Sequence, residues 1–205
     1  MIIIDLECTG RDNVTTRGDI IKPVPMEIVE IGAADVEVSS SINIRSTFQS
    51  FIKPILNPML SQFCKDLTSI KQEQVSKAST FPVVLDKFKE WLSLCQDVIF
   101  VSWGRFDRKQ LIEDCILHKQ VFPFDNAYLN LRALMQQFLS LPKQPSISEA
   151  LKIVNLEFKG TQNRAIMDVT NIVCLLQKLS ERDSSFTGRL NNYLIEIKQC
   201  YRSLS

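Results

Sequence analysis

With 205 residues, 45% of them hydrophobic and 23% charged, the chain is long enough for one packed core and lacks the composition of a disordered segment. Its 24 basic and 23 acidic side chains leave a net charge of +1, without the basic excess that marks a bulk duplex binder. Six dispersed cysteines with no C-x-x-C pair, and a single histidine, argue against structural zinc and for reduced thiols in the cytoplasm, and no apolar stretch reaches membrane-spanning length.

Met1 to Leu6 reads as a first strand, followed by a polar loop with Gly10, Gly18 and several threonines that Pro23 and Pro25 close. Met26 to Val38 and Ile42 to Ile52 give two more strands. Helical periodicity then covers Leu60 to Leu67, a turn near Lys71 to Val75, and an amphipathic helix from Phe81 to Leu94 with Val84, Phe88 and Leu92 on one face. A buried strand is expected over Asp97 to Trp103, a helix over Phe106 to His118 and a short strand over Tyr128 to Leu131. Helices follow over Ala133 to Leu139, Ser146 to Val154 and Arg164 to Leu179 and, after a polar break at Glu181 to Ser185, over Phe186 to Leu204. The order predicts an α/β fold: a five-stranded mixed sheet flanked by helices, its first three strands an antiparallel meander. Residues 181–205 are too few for a second domain and are expected to pack as a C-terminal helix on the body formed by 1–180.

Asp5 and Glu7, one residue apart in a strand, emerge on the same face, with Leu6 on the other. Two carboxylates held side by side repel each other unless a cation lies between them, and hard ions such as Mg²⁺ or Mn²⁺ take such oxygen ligands. A solvated strand end is the plainer alternative. Asp107 stands where an apolar strand gives way to a helix, at the carboxyl end of the strand, where open α/β sheets place ligands; a simple helix-start carboxylate is equally compatible. At about 100° per residue, Asp168 falls at the edge of the stripe formed by Ala165, Val169, Ile172 and Leu176. A carboxylate bordering buried surface calls for a partner or a metal.

Taken in order, Asp5-Leu6-Glu7-Cys8-Thr9-Gly10, Ser102-Trp103-Gly104-Arg105-Phe106-Asp107 and Asn163-Arg164-Ala165-Ile166-Met167-Asp168 resemble the three motifs of the DEDD 3′→5′ exonucleases, over roughly residues 1 to 180. The texture around the second motif is similar to the branch of RNase T and the histone-mRNA 3′ exonucleases. The resemblance implies an RNase H-like fold and two ions, Mg²⁺ or Mn²⁺, held by Asp5, Glu7, Asp107 and Asp168. It implies hydrolysis of single-stranded nucleic acid from its 3′ end to nucleoside 5′-monophosphates, RNA favoured over DNA. By the same resemblance Cys8, Thr9, Leu67, Thr68 and Ile70 grip the terminal nucleotide, with Ser69 in place of the usual glycine; core packing is the alternative for Leu67 and Ile70. Phe106 is placed to stack a base, whereas Trp103 reads as core. Arg105 and Arg164 are near enough to the acids to meet phosphates.

The chain departs from the pattern at one point. The histidine branch carries its general base five residues before the last aspartate, and that residue here is Asn163. An amide does not titrate near neutral pH. His118, the chain's only histidine, lies about 16 Å along the helix from Asp107 and reads as a surface residue. Asn163 also suits the N-cap of the helix that follows. Two readings therefore stand: a metal-dependent 3′→5′ exonuclease slowed by Asn163, or a weak or inactive module of the same fold that binds nucleic acid or a protein. A glycosidase using Asp5 and Glu7 would place two carboxyls about 7 Å apart on one strand face, without the motif order.

Overall fold

The computed structural model describes residues 1–10, 14–17, 20–125 and 127–202. Strand β1 (Ile2–Cys8) is the middle strand of a five-stranded sheet and is buried over most of its length. β2 (Val14–Arg17) and β3 (Ile20–Pro23) form a separate two-stranded antiparallel sheet, which corrects the expected loop; Gly18 lies outside the described residues. β4 (Ile28–Val38) and β5 (Ile42–Phe51) complete the antiparallel meander with β1.

Helices α1 (Gln62–Thr68), α2 (Gln72–Ser76) and α3 (Phe81–Ser93) come next. Ser61 caps α1, accepting from Cys64 N–H, which places that start two residues beyond the apolar periodicity. The expected strand at 97–103 narrows to β6 (Phe100–Ser102), because ladder pairing is confined to these residues: Phe100 and Val101 pair with β1 on one side, and all three with β7 (Tyr128–Asn130) on the other. Between them runs α4 (Phe106–Leu117). α5 (Leu131–Phe138) begins earlier than its apolar pattern because Asn130 accepts from Ala133 N–H as its cap. α6 (Ile147–Ile153), α7 (Ala165–Arg182) and α8 (Phe186–Arg202) finish the chain.

The sheet order is β5-β4-β1-β6-β7, antiparallel on the β4 side of β1 and parallel on the β6 side. Each face carries its own core, and the pleat of β1 decides which residue serves which. Ile2, Ile4 and Leu6 pack with Phe81, Phe88 and Leu111 of α3 and α4. Ile3 packs with Val169, Ile172 and Val173 of α7 and with Phe186 and Leu190 of α8. Asp5 and Glu7 share the parity of Ile3 and are thereby turned toward α7.

Candidate active site

On β4, Gly32 stands opposite Asp5 and Glu30 opposite Glu7. A Cβ on Gly32 would lie 2.4 Å from the Ala165 carbonyl carbon and the Ile166 nitrogen, so only glycine lets the first turn of α7 rest on the sheet. Arg164 then reaches Glu30 through two bonds, Nε to Oε2 at 3.0 Å and Nη2 to Oε1 at 3.1 Å, and the Ala165 N–H adds a third at 3.3 Å. Glu30 is fully buried, and the guanidinium also lies over the Phe51 ring, 5.2 Å from its centroid. Arg164 is therefore committed to Glu30, a correction of the expected phosphate contact. Glu30 itself was missed; its signal was an acid inside a strand that is apolar on both sides, a position that demands a cation.

One turn into α7, Asp168 faces the pair on β1. Oxygens of Asp5, Glu7 and Asp168 lie within 4.8 Å of one another. Asp168 Oδ2 accepts from Arg164 N–H at 3.1 Å, and the main chain at Asn163 supports the same carboxylate. Asp107, in the first turn of α4, approaches from the other side of β1, its Oδ1 accepting from Leu6 N–H at 3.2 Å. It stands outside the tight triad but shares its cleft.

Four carboxylates in so small a volume do not ionise independently. Burial raises all four, and their mutual repulsion adds to it: Asp5 well above the ordinary carboxylate range, Glu7 to about 8, Asp107 to about 7 and Asp168 to about 6. A site of hard oxygens that is this costly to ionise fits divalent cations.

The cleft above the acids encloses about 440 Å³ and is open to solvent. Asp5, Glu7, Asp107 and Asp168 line it together with Phe106 and Asn163. Asn163 is not the N-cap of α7. That position is Arg164, and Asn163 precedes it with a left-handed φ of 56°. His118 is half-buried rather than a surface residue, its ring stacked on Phe81 at 5.0 Å.

The residues expected to grip a nucleotide divide. Phe106 (39% exposed) and Leu67 (47%) present apolar surface, and Cys8 is half-buried at the end of β1. Ile70 is 1% exposed in a small core with Val29, Leu60 and Val75, the packing alternative. Thr68 is spent locally, its hydroxyl donating to Cys64 O and accepting from Ile70 N–H. Thr9 Oγ1 accepts from Glu27 N–H at 2.9 Å. Trp103 is buried and donates through Nε1 to Pro145 O.

The sequence profile of the RNase T exonuclease family matches residues 2–176, the whole of the five-stranded sheet and every acid described above. This chain belongs to the RNase T exonuclease family. Human ERI1 exoribonuclease 2 is 29% identical over 175 residues, covering 75% of this chain but 25% of its own length. A probable 3′-5′ exonuclease of Bacillus subtilis, KapD, is 26% identical over 186 residues, 91% of this chain and 86% of its own. The solved nuclease domain of 3′hExo, a DEDDh member bound to rAMP, superposes with a TM-score of 0.74 at 26% identity, over 89% of this chain and 92% of that one. The architecture is thus the RNase H-like fold of these exonucleases, and the chain spans only a quarter of the human relative's length.

Proposed function

We propose that this RNase T family chain is a 3′→5′ exonuclease that hydrolyses single-stranded nucleic acid, RNA in preference to DNA, releasing nucleoside 5′-monophosphates. The observation that carries the reading is the convergence of acids from β1, α4 and α7 on the floor of one open cleft. Asp5, Glu7, Asp107 and Asp168 would hold two divalent ions, Mg²⁺ or Mn²⁺. When bound, such ions supply the positive charge that eases attack of water on the phosphodiester and departure of the 3′ oxygen.

The chain's own residues do the rest. Phe106 offers a ring to a base at the cleft wall, and Leu67 and Cys8 offer apolar surface near the end of β1. Thr9, Thr68 and Ile70 act behind them by fixing the backbone that presents these groups. Asn163 can hydrogen-bond a water in the cleft but cannot take its proton. With a general base worth roughly 10²–10⁴-fold, the enzyme is slow rather than dead.

We read residues 1–180 as the exonuclease domain and 181–205 as a helical segment packed on it. Among the described residues no helix is long and apolar enough to cross a membrane, and the reading places the enzyme in the cytoplasm. The deciding experiment incubates the protein with 3′- and 5′-labelled single strands of RNA and DNA, with Mg²⁺, Mn²⁺ or chelator. Expected are ladders from the 5′-labelled strands, immediate mononucleotide release from the 3′-labelled ones, and neither with chelator. Asn163 favours a second reading, a module that binds nucleic acid or a protein without cutting. Strand binding without cleavage under any metal would establish it.

A further inference from the structure

The cleft floor is strongly acidic, and bound ions answer that charge only at the reacting phosphate. The phosphates upstream on the same strand need cations of the protein's own. Around the cleft most cations are already engaged. Arg164 is paired with Glu30, Arg132 donates through Nε and Nη2 to the carbonyls of Pro145 and Gln144, and Lys109 pairs with Glu113.

On the first turn of α4, Arg105 and Arg108 have no such partner among the described residues. They stand three residues apart at the start of α4, on the same side of its first turn and flanking Phe106 and Asp107. Arg105 is exposed, and among the described residues no acid pairs with either arginine. Arg108 is also held in place: its guanidinium lies 5.4 Å from the Phe122 ring centroid and 5.7 Å from that of Tyr128. Tyr128 in turn donates its hydroxyl to Gly104 O, on the wall of the cleft. Arg108 Nε is the one buried side-chain nitrogen or oxygen without a hydrogen-bond partner among the described residues. Nε is shielded from solvent, but the side chain as a whole is half-buried, and a guanidinium fixed by two rings with no acid beside it is pre-organised for an anion on its exposed side, since folding has already ordered it.

We propose that Arg105 and Arg108 form a phosphate-binding site for the sugar–phosphate backbone 5′ of the scissile bond, so that the strand leaves the cleft over the first turn of α4. The site rests on the exonuclease reading for its ligand. It accounts for how a chain of net charge +1 holds a polyanion: two guanidiniums on the first turn of α4, beside the cleft-lining Gly104, Phe106 and Asp107, rather than a basic face.

The test is fluorescence anisotropy with a 5′-labelled oligouridylate of about 12 nucleotides, titrated over a range of salt concentrations in chelator, where no cleavage occurs. Arg105→Ala and Arg108→Ala are each expected to weaken binding about fivefold and to reduce the slope of log K against log salt by roughly 0.7. Lys178→Ala, which removes an equal charge from the far half of α7, controls for a general loss of positive charge. Should Arg108→Ala unfold, Arg108→Lys keeps the charge and loses the planar fork, and it is expected to bind less tightly than wild type. Binding and salt slope equal to wild type in Arg105→Ala and in the folded Arg108 variant would overturn the site, as would an equal loss in Lys178→Ala. Cleavage is scored separately with Mn²⁺ on the same strand. A wild type that binds but never cuts refutes the exonuclease reading while the anisotropy still decides the site.

Discussion

At Asn163 the backbone adopts φ 56°, a left-handed conformation that asparagine and histidine both enter more readily than most residues. Asn163→His should therefore fold without added strain and place a titratable ring at the cleft wall. Its Mn²⁺-dependent kcat is expected to rise at least about tenfold, with a pH profile that gains a limb near the ordinary imidazole value of about 6.5. Equal rates in the two proteins would show that proton abstraction is not what limits this cleft. The acids give a second prediction. Their folded-state values, up to about 8 for Glu7, about 7 for Asp107 and about 6 for Asp168, lie above the roughly 4 of an unfolded carboxylate. Between those limits the metal-free folded chain holds more protons than the unfolded one, so its stability falls as pH rises from about 4 to about 8. Divalent ions must displace the same protons, so their affinity climbs over that window. Melting curves should show a metal-free midpoint that drops with pH and a stabilisation by Mn²⁺ that grows with it; a flat response to both would contradict the arrangement. The four acids were legible as candidates through the order and spacing of the motifs that resemble those of the DEDD exonucleases; strand parity and helix periodicity alone left a solvated strand end and a helix-start carboxylate as alternatives. For Glu30 the apolar strand around it signals only that some cation is needed; which one was not legible, since its partner Arg164 is 134 residues away and no local pattern joins them.

The element that assembles the site is α7, and its seat on β4 depends on what Gly32 lacks. Gly32→Ala sets a methyl against the Ala165 backbone, which has no flexible end to yield. The expected cost is about 1–3 kcal/mol by denaturant titration, with activity falling further because Asp168 moves with the helix. Arg164→Met removes the cation from a fully buried Glu30 and should cost about 3–5 kcal/mol, more than loss of an exposed pair. A cost under about 1 kcal/mol would mean that Glu30 finds another partner. Elements whose apolar residues recur at period 2 or 3.6 were legible: β1, β4, β5, α3 and α7 lie where the pattern puts them. β2 and β3 were not, because Val14-Thr-Thr-Arg17 and Ile20-Ile-Lys-Pro23 carry little alternation and are paired chiefly with each other. The starts of α1 and α5 shifted because Ser61 and Asn130 cap them, and a capping side chain marks a helix end that hydrophobic periodicity does not register.

At the scale of the whole molecule, α8 belongs to the same core as the sheet. Phe186 is buried with Val173 and Leu176 and packs on Phe138 with ring centroids 5.0 Å apart. Phe186→Ala is expected to cost about 3–5 kcal/mol in a single cooperative transition. A separate early transition for 181–205 would make the helix an appendage. The central position of β1 has a further consequence, for time rather than energy. Its neighbours in the sheet lie some 30 and 100 residues further along the chain, and Asp168, which completes the acid triad, further still. During synthesis the strand bearing Asp5 and Glu7 leaves the ribosome long before α7 can close over it. A metal held as proposed by Asp5, Glu7 and Asp168 would then not guide early folding, because these acids meet only when α7 docks, and its effect would appear as slower unfolding rather than faster folding.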